Sequence, residues 1–272
     1  MTGVQTCALP ILKDFSAIVT GGAGAGIGSG ITEALCEHGW SVLIVDKDEA
    51  RVRTVQECLA ARGHEVDALV LDVTSADAPG AAVDFALRHF GRLNGLVNNA
   101  GVGLCKPLGE IEDSEMEMLF DVDFRAAFRF CRRALAVMVS GGGSIVNIGS
   151  VHAHRTVRGF GLYAAMKCAL EGFTRGLAVD YGPAKVRANC IHPGLVMSPQ
   201  NRDLIAGFAP DVDAWLSSYL ATRQLIPAPV TPRQVGELAA FLLGPESATI
   251  TGQAITIDGG STAMLYEREA KK

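Results

Sequence analysis

From about Leu12 onwards, short apolar runs alternate with longer stretches of helical periodicity. The runs are Ser16–Thr20, Ser41–Val45, Ala68–Leu71, Gly95–Asn98, Ser144–Ile148, Val186–Ile191 and Ala254–Ile257. Runs this short and this uniformly apolar predict strands covered on both faces. Between them, apolar residues recurring every three to four positions predict helices at Ile27–His38, Glu49–Ala61, Ala76–Phe90, Ser114–Ser140, Tyr163–Tyr181 and Pro232–Leu243. Regular alternation of the two predicts right-handed crossovers and an α/β fold, a doubly wound parallel sheet with helices on both faces. No repeat or linker divides the chain, so residues 12–272 read as one domain. Ser198–Thr231, with Pro199, Pro210, Pro227 and Pro229, breaks the pattern and is expected to be irregular, a candidate mobile lid. The first eleven residues, MTGVQTCALPI, fit no element and lack the basic stretch and apolar length of a signal peptide. They read as a non-native or disordered extension, a short native arm being the alternative.

Composition narrows the class. The net charge is −5 without a block of like charges, which argues against nucleic acid as a partner. No apolar run reaches the length of a membrane span. The seven cysteines (Cys7, Cys36, Cys58, Cys105, Cys131, Cys168 and Cys190) are scattered and odd in number, and form no C-x-x-C. A disulfide framework and a zinc site are therefore not expected, and a reducing cytoplasm is.

The first strand runs into Thr20-Gly21-Gly22-Ala23-Gly24-Ala25-Gly26-Ile27-Gly28, which opens the first helix. Glycines there allow a tight turn, close approach of backbone to a pyrophosphate, and close helix–sheet packing, with the helix N-terminus facing the phosphates. Eighteen residues after Gly28 stands Asp46, at the end of the second strand. A carboxylate at that place accepts hydrogen bonds from both ribose hydroxyls and repels a 2′-phosphate, so NAD is expected and NADP disfavoured. Lys47 is a counter-signal, and Asp46 also reads as a plain helix cap.

Tyr163 and Lys167 lie four residues apart in a helical stretch and share a face. Ser150 closes one strand, and Asn98-Asn99-Ala100-Gly101 closes another. Strand C-termini are where open α/β sheets bind ligands. With Gly22-x-x-x-Gly26-x-Gly28, Asp72-Val73, Pro193-Gly194 and Asp258-Gly259-Gly260, these motifs stand in an order and spacing that resemble the short-chain dehydrogenase/reductase family, over about Leu12 to Met264. The resemblance implies a Rossmann-like oxidoreductase, interconverting a secondary alcohol and a ketone by hydride transfer. It makes Tyr163 the general acid/base and Lys167 the cation that stabilises the tyrosinate and holds the nicotinamide ribose. It makes Ser150 the ligand of the substrate oxygen. Cofactor contacts are implied for Gly22, Gly26, Ile27, Gly28, Asp46, Asp72, Val73, Asn99, Ala100, Gly101, Tyr163, Lys167, Pro193, Gly194, Val196 and Ser198. It also implies a homotetramer or dimer, through the Ser114–Ser140 and Tyr163–Tyr181 helices.

The chain departs from the family in four places. Thr20 sits one residue early relative to the glycine pattern, which leaves open whether Gly21 or Gly22 meets the cofactor. Asp123 stands where the catalytic tetrad has Asn. Met166 replaces the Ser usual before the lysine, and Ser198 replaces Thr. His152 and His154 follow Ser150 closely; His154 reads as a rim residue, His152 as a pocket candidate, and His192 as structural. No cysteine or carboxylate stands at ligand spacing beside them, so no metal is expected. The rival readings are an NADPH-dependent 3-oxoacyl reductase, a non-catalytic NAD-binding sensor that Asp123 keeps in play, and a methyltransferase, which would lack the Tyr/Lys pair.

Overall fold

A computed structural model describes residues 15–265. The reading of residues 1–11 as an extension lies outside them. Seven strands form one parallel sheet: β1 (Ser16–Thr20), β2 (Ser41–Asp46), β3 (Val66–Val70), β4 (Gly95–Asn98), β5 (Gly143–Ile148), β6 (Val186–Pro193) and β7 (Ala254–Ile257). Their order is β3-β2-β1-β4-β5-β6-β7. The chain winds outward from β1 to β3, then returns to place β4 on the other side of β1. That reversal opens a crevice beyond the C-terminal ends of β1 and β4.

Alternate side chains of each strand feed opposite faces. Ala17 and Val19 enter one core with α1 (Ile27–Glu37), α2 (Glu49–Ala61) and α9 (Pro232–Leu243). Ile18 enters the other with α3 (Ala78–Phe90), α5 (Ala126–Gly141) and α6 (Gly161–Tyr181). The α1–α9 contact is unusually close: a Cβ on Gly236 would lie 2.1 Å from the Gly30 carbonyl oxygen. Helix starts follow from their caps. Thr231 and Gln234 form a capping box on α9, with Pro232 at its first turn.

The expected architecture is present, and two elements differ from expectation. The single helix predicted over Ser114–Ser140 divides into α4 (Asp113–Phe120) and α5, joined by a wide π turn at Asp121–Arg125. The Ala126 N–H reaches back to the Asp121 carbonyl, five residues away, so the turn holds one residue more than an α-turn. Hydrophobic periodicity does not register such an insertion. The second difference is in Ser198–Thr231, which contains α7 (Pro199–Ala206) and α8 (Val212–Arg223). Pro199 lies in the first turn of α7 behind the cap Ser198, and Pro210 precedes the cap Asp211 of α8, so these prolines mark helix starts rather than breaks. Neither helix shows much periodicity because α7 buries Ile205 alone and α8 buries no residue fully.

Candidate active site

A cleft of about 970 Å³ runs across the C-terminal ends of β1 and β4. Its floor is the glycine turn. Gly21 has φ +63°, and its N–H donates to the Val45 carbonyl at 2.7 Å. A Cβ on Gly28 would sit 1.9 Å from the Gly21 carbonyl oxygen, so no other residue fits there. Gly21, Gly24, Gly26, Ile27 and Gly28 face the cleft. Gly22 does not: its carbonyl accepts from Thr32 Oγ1 at 2.9 Å, and a Cβ there would meet the Val19 carbonyl at 2.9 Å. Gly22 is thus turned toward the first helix, and Gly21 faces the cleft. Gly26 caps α1 without any side-chain acceptor, so no side chain meets the first N–H groups of the helix, and Ile27 and Gly28 of that turn line the cleft.

One end of the cleft is lined by Asp46, Lys47, Arg51, Asp72 and Val73. The Asp46 carboxylate accepts from the N–H groups of Ala23 and Asp48, each at 3.2 Å, and so ties the glycine loop to β2. Arg51 escaped the sequence reading; it stands in the first turn of α2 beside the cap Asp48, its Nε 3.1 Å from that carboxylate. Asp72 accepts from the Thr74 N–H at 2.9 Å and hydroxyl at 2.7 Å, and these bonds hold its carboxyl below the usual range.

The middle of the cleft is bounded by Asn99, Ala100 and Gly101 after β4, and by Pro193 at the end of β6 with Gly194 and Val196 after it. Thr20 Oγ1 accepts from the N–H groups of Asn99 and Ala100 at 3.1 and 3.2 Å, and Asn99 Nδ2 donates to the Gly21 carbonyl at 3.0 Å. The two loops are thereby fastened to each other. Ser198 lines the same wall while capping α7 through the Asn201 N–H at 3.2 Å.

At the far end β5 delivers Ser150 and the first two turns of α6 deliver Tyr163 and Lys167, all three facing the cleft. Lys167 is buried. Its Nζ lies 5.4 Å from the centre of the Tyr163 ring, donates to the Ile148 carbonyl at 3.3 Å, and stands 3.0 Å from Asp123 Oδ2. Burial lowers the affinity of that amine for its proton, but the neighbouring Tyr163 and Asp123 outweigh it, and the net shift is upward. Asp123 lies behind the cleft wall rather than in it, with Oδ1 accepting the Val102 N–H at 2.8 Å.

Beyond these groups the wall is aromatic and basic. His152 packs on Phe160 with ring centres 4.6 Å apart and meets Tyr163 edge-on at 5.6 Å; burial pushes its imidazole below the usual range. From α8, Trp215 stacks on Tyr219 at 5.2 Å, and Arg155 and Arg223 add two guanidinium groups. Of these, α8 carried no periodic signal, so Tyr219 and Arg223 were not legible beforehand. His154 lies outside the cleft. The carboxylate that no local spacing offered the histidines comes from α6: Glu171 Oε2 is 2.8 Å from His154 Nε2 and 3.1 Å from His192 Nε2.

Comparison with known proteins agrees with this fold. A family model described as enoyl-(acyl carrier protein) reductase matches residues 22–262. The short-chain reductase protein NovJ of Streptomyces niveus is 34% identical, over 94% of this chain and 97% of its own. A probable short-chain type dehydrogenase/reductase of Bradyrhizobium diazoefficiens is 36% identical, over 92% of this chain and 88% of its own. Among solved structures, a single-substitution variant of the actinorhodin polyketide ketoreductase with NADPH superposes with a TM-score of 0.87 at 28% identity, over 93% of this chain and 99% of that one.

Proposed function

We propose that this chain, which belongs to the short-chain dehydrogenase/reductase family, is an NAD(H)-linked enzyme that interconverts a secondary alcohol and a ketone, with Tyr163 as general acid/base. The observation that carries the reading is the convergence of Ser150, Tyr163 and Lys167 on one cleft that also holds the glycine turn. A non-catalytic sensor has no need for the three together. The nicotinamide cofactor, when bound, accepts or donates the hydride. The residues that would hold it are Gly21, Gly26, Ile27 and Gly28 at the phosphates, Asp46 at the ribose, Asp72 and Val73 at adenine, Asn99, Ala100 and Gly101 along the cleft, and Pro193, Gly194, Val196 and Ser198 at the carboxamide. The glycines fit that role: a Cβ on Gly28 would collide with the turn, one on Gly21 would press on Asn99 and Ala100, and one on Gly26 would press on Ser198 and Gln200.

Ser150 orients the substrate oxygen by hydrogen bonding. Tyr163 passes a proton to that oxygen in reduction and takes it in oxidation. The ammonium of Lys167 stabilises the tyrosinate that forms. Asp46 supports NAD over NADP, whereas Lys47 and Arg51 beside it favour the alternative, an NADPH-dependent reductase. The rings of His152, Phe160, Trp215 and Tyr219 suit a cyclic or aromatic substrate. Phe124, Phe128 and Phe173 form a partly exposed aromatic cluster where α5 meets α6, which supports pairing of subunits through these helices. No helix among the described residues is long and apolar enough to cross a membrane. The free thiols among the described residues, with Cys58, Cys105 and Cys168 exposed, suit a reducing cytoplasm.

The test is Tyr163→Phe, which removes one hydroxyl. Turnover of any alcohol oxidised by the parent with NAD is expected to fall by at least about a thousandfold, with cofactor affinity within about threefold of the parent. Near-parental turnover would refute the assignment.

A further inference from the structure

His154, Glu171 and His192 stand together outside the cleft, with their nearest nitrogen and oxygen atoms all within 4.8 Å. Their spacing suits a metal ion, but the hydrogen bonds say otherwise. The backbone N–H of Ser150 donates to His192 Nδ1 at 2.9 Å. A ring nitrogen that accepts carries no proton, so in the neutral imidazole the proton is on Nε2. Nε2 then donates to Glu171 Oε2, 3.1 Å away. Neither nitrogen of His192 keeps a lone pair for a metal.

The surroundings fit this arrangement. His192 is fully buried. Residue 149 is glycine where a Cβ would come within 2.5 Å of the imidazole, so the ring reaches the Ser150 backbone because of that glycine. Glu171 is held in place by Arg175 on one oxygen and by His154, at 2.8 Å, on the other. Ser150 Oγ itself accepts the His152 N–H at 3.2 Å, so its own proton points away from that N–H.

We infer that Glu171 and His192 are positioning residues for Ser150: the carboxylate fixes the imidazole tautomer, and the imidazole fixes the backbone that aims the Ser150 hydroxyl. The inference rests on the proposed role of Ser150 in holding the substrate oxygen. It has a pH consequence. Protonating His192 puts a proton on Nδ1, opposite the Ser150 N–H, and breaks the bond. The charged groups facing the ring are Glu171 from α6, with Arg175 behind it, and His154 from the turn after β5. Its strand neighbours are Cys190, whose thiol burial pushes up to about 12, and the uncharged Thr256 of β7. Burial and the neighbouring His154 press the imidazole below its usual range, against the pull of Glu171. Loss of His154 frees that pull.

The first test is direct. Long-range proton–nitrogen NMR of the full chain, labelled with nitrogen-15, is expected to show His192 protonated at Nε2 and bare at Nδ1. The opposite tautomer would overturn the inference, as would a shift of the His192 resonances on adding zinc chloride alone. The second test is kinetic. His154→Gln, a residue that touches neither cleft nor substrate, is expected to leave kcat at pH 8 unchanged and to move the acid limb of kcat upward by about half a unit. Glu171→Gln, whose amide can donate to Nε2 and favour the wrong tautomer, is expected to lower kcat about tenfold with KM for the cofactor unchanged. Superimposable pH profiles for His154→Gln, or parental kcat in a folded Glu171→Gln, would refute it. Ser150→Ala separates the two readings: full activity there would remove the role of Ser150 while the NMR result still reports the tautomer.

Discussion

The Lys167 ammonium and the Asp123 carboxylate face each other at 3.0 Å, both buried. Asp123 could act as a negative charge beside the reacting groups or as a carboxylate spent on backbone N–H groups. The two oxygens divide the roles: Oδ1 takes the Val102 N–H and Oδ2 takes the lysine. The π turn between α4 and α5 is what brings Asp123 to this depth.

The carboxylate favours the charged form of Lys167, and in the proposed mechanism it also offsets part of the field of that ammonium at Tyr163. Asp123→Asn removes that offset while keeping the shape and one acceptor. The basic limb of kcat/KM for alcohol oxidation is expected to move to lower pH in the variant. Coincident profiles would show that the carboxylate is electrically silent at Tyr163.

On the proposed reading, cofactor choice turns on Asp46. Its Ala23 and Asp48 hydrogen bonds hold the carboxylate at the cleft with lone pairs to spare. In Asp46→Ala the ratio of kcat/KM for NAD over NADP is expected to fall by about tenfold or more, since Lys47 and Arg51 remain to meet a 2′-phosphate. The absolute NAD activity will fall too, because the glycine loop loses a tether. An unchanged ratio would separate Asp46 from cofactor discrimination.

Asp258 closes the turn after β7 by accepting from Gly260, from the hydroxyl of Ser261, and from both the N–H and the hydroxyl of Thr262. Burial pushes its carboxyl up, but these bonds outweigh it and hold it below the usual range. A carboxylate so depressed stabilises the fold above the unfolded value, near about pH 4, and that contribution is lost as pH falls through the folded value. Asp258→Asn is expected to cost about 1–3 kcal/mol at pH 7. Denaturant titrations of parent and variant are expected to converge as pH drops toward 3. A gap that stays constant with pH would mean the charge is irrelevant there.

The Gly30–Gly236 contact leaves no room for a methyl group. Gly236→Ala gains helix propensity, about 1 kcal/mol, but forces α9 off α1, an overpacking cost of about 1–3 kcal/mol or more. Thermal melting is expected to show net destabilisation. A Tm at or above the parent's would mean that the two helices slide apart freely.

Much of this molecule was legible in one dimension. Strand and helix order follows from short uniformly apolar runs and from a period of 3.6 residues, both properties of a segment's own sequence, and every predicted strand is present within about two residues of its expected bounds. The glycine turn, Asp46, Ser150, Tyr163 and Lys167 were visible because their spacing from strand ends is local. What stayed hidden depends on partners far apart in the chain. Whether Gly21 or Gly22 faces the cleft was decided by Thr32 and Val19, which claim Gly22 for the first helix. Asp123 met Lys167 through a π turn that leaves no periodic mark. Glu171 found two histidines, 17 and 21 residues away, because α6 passes beside both β6 and the turn after β5. Sequence pattern records what a segment buries; which charges meet once the segments are packed is settled by the packing alone.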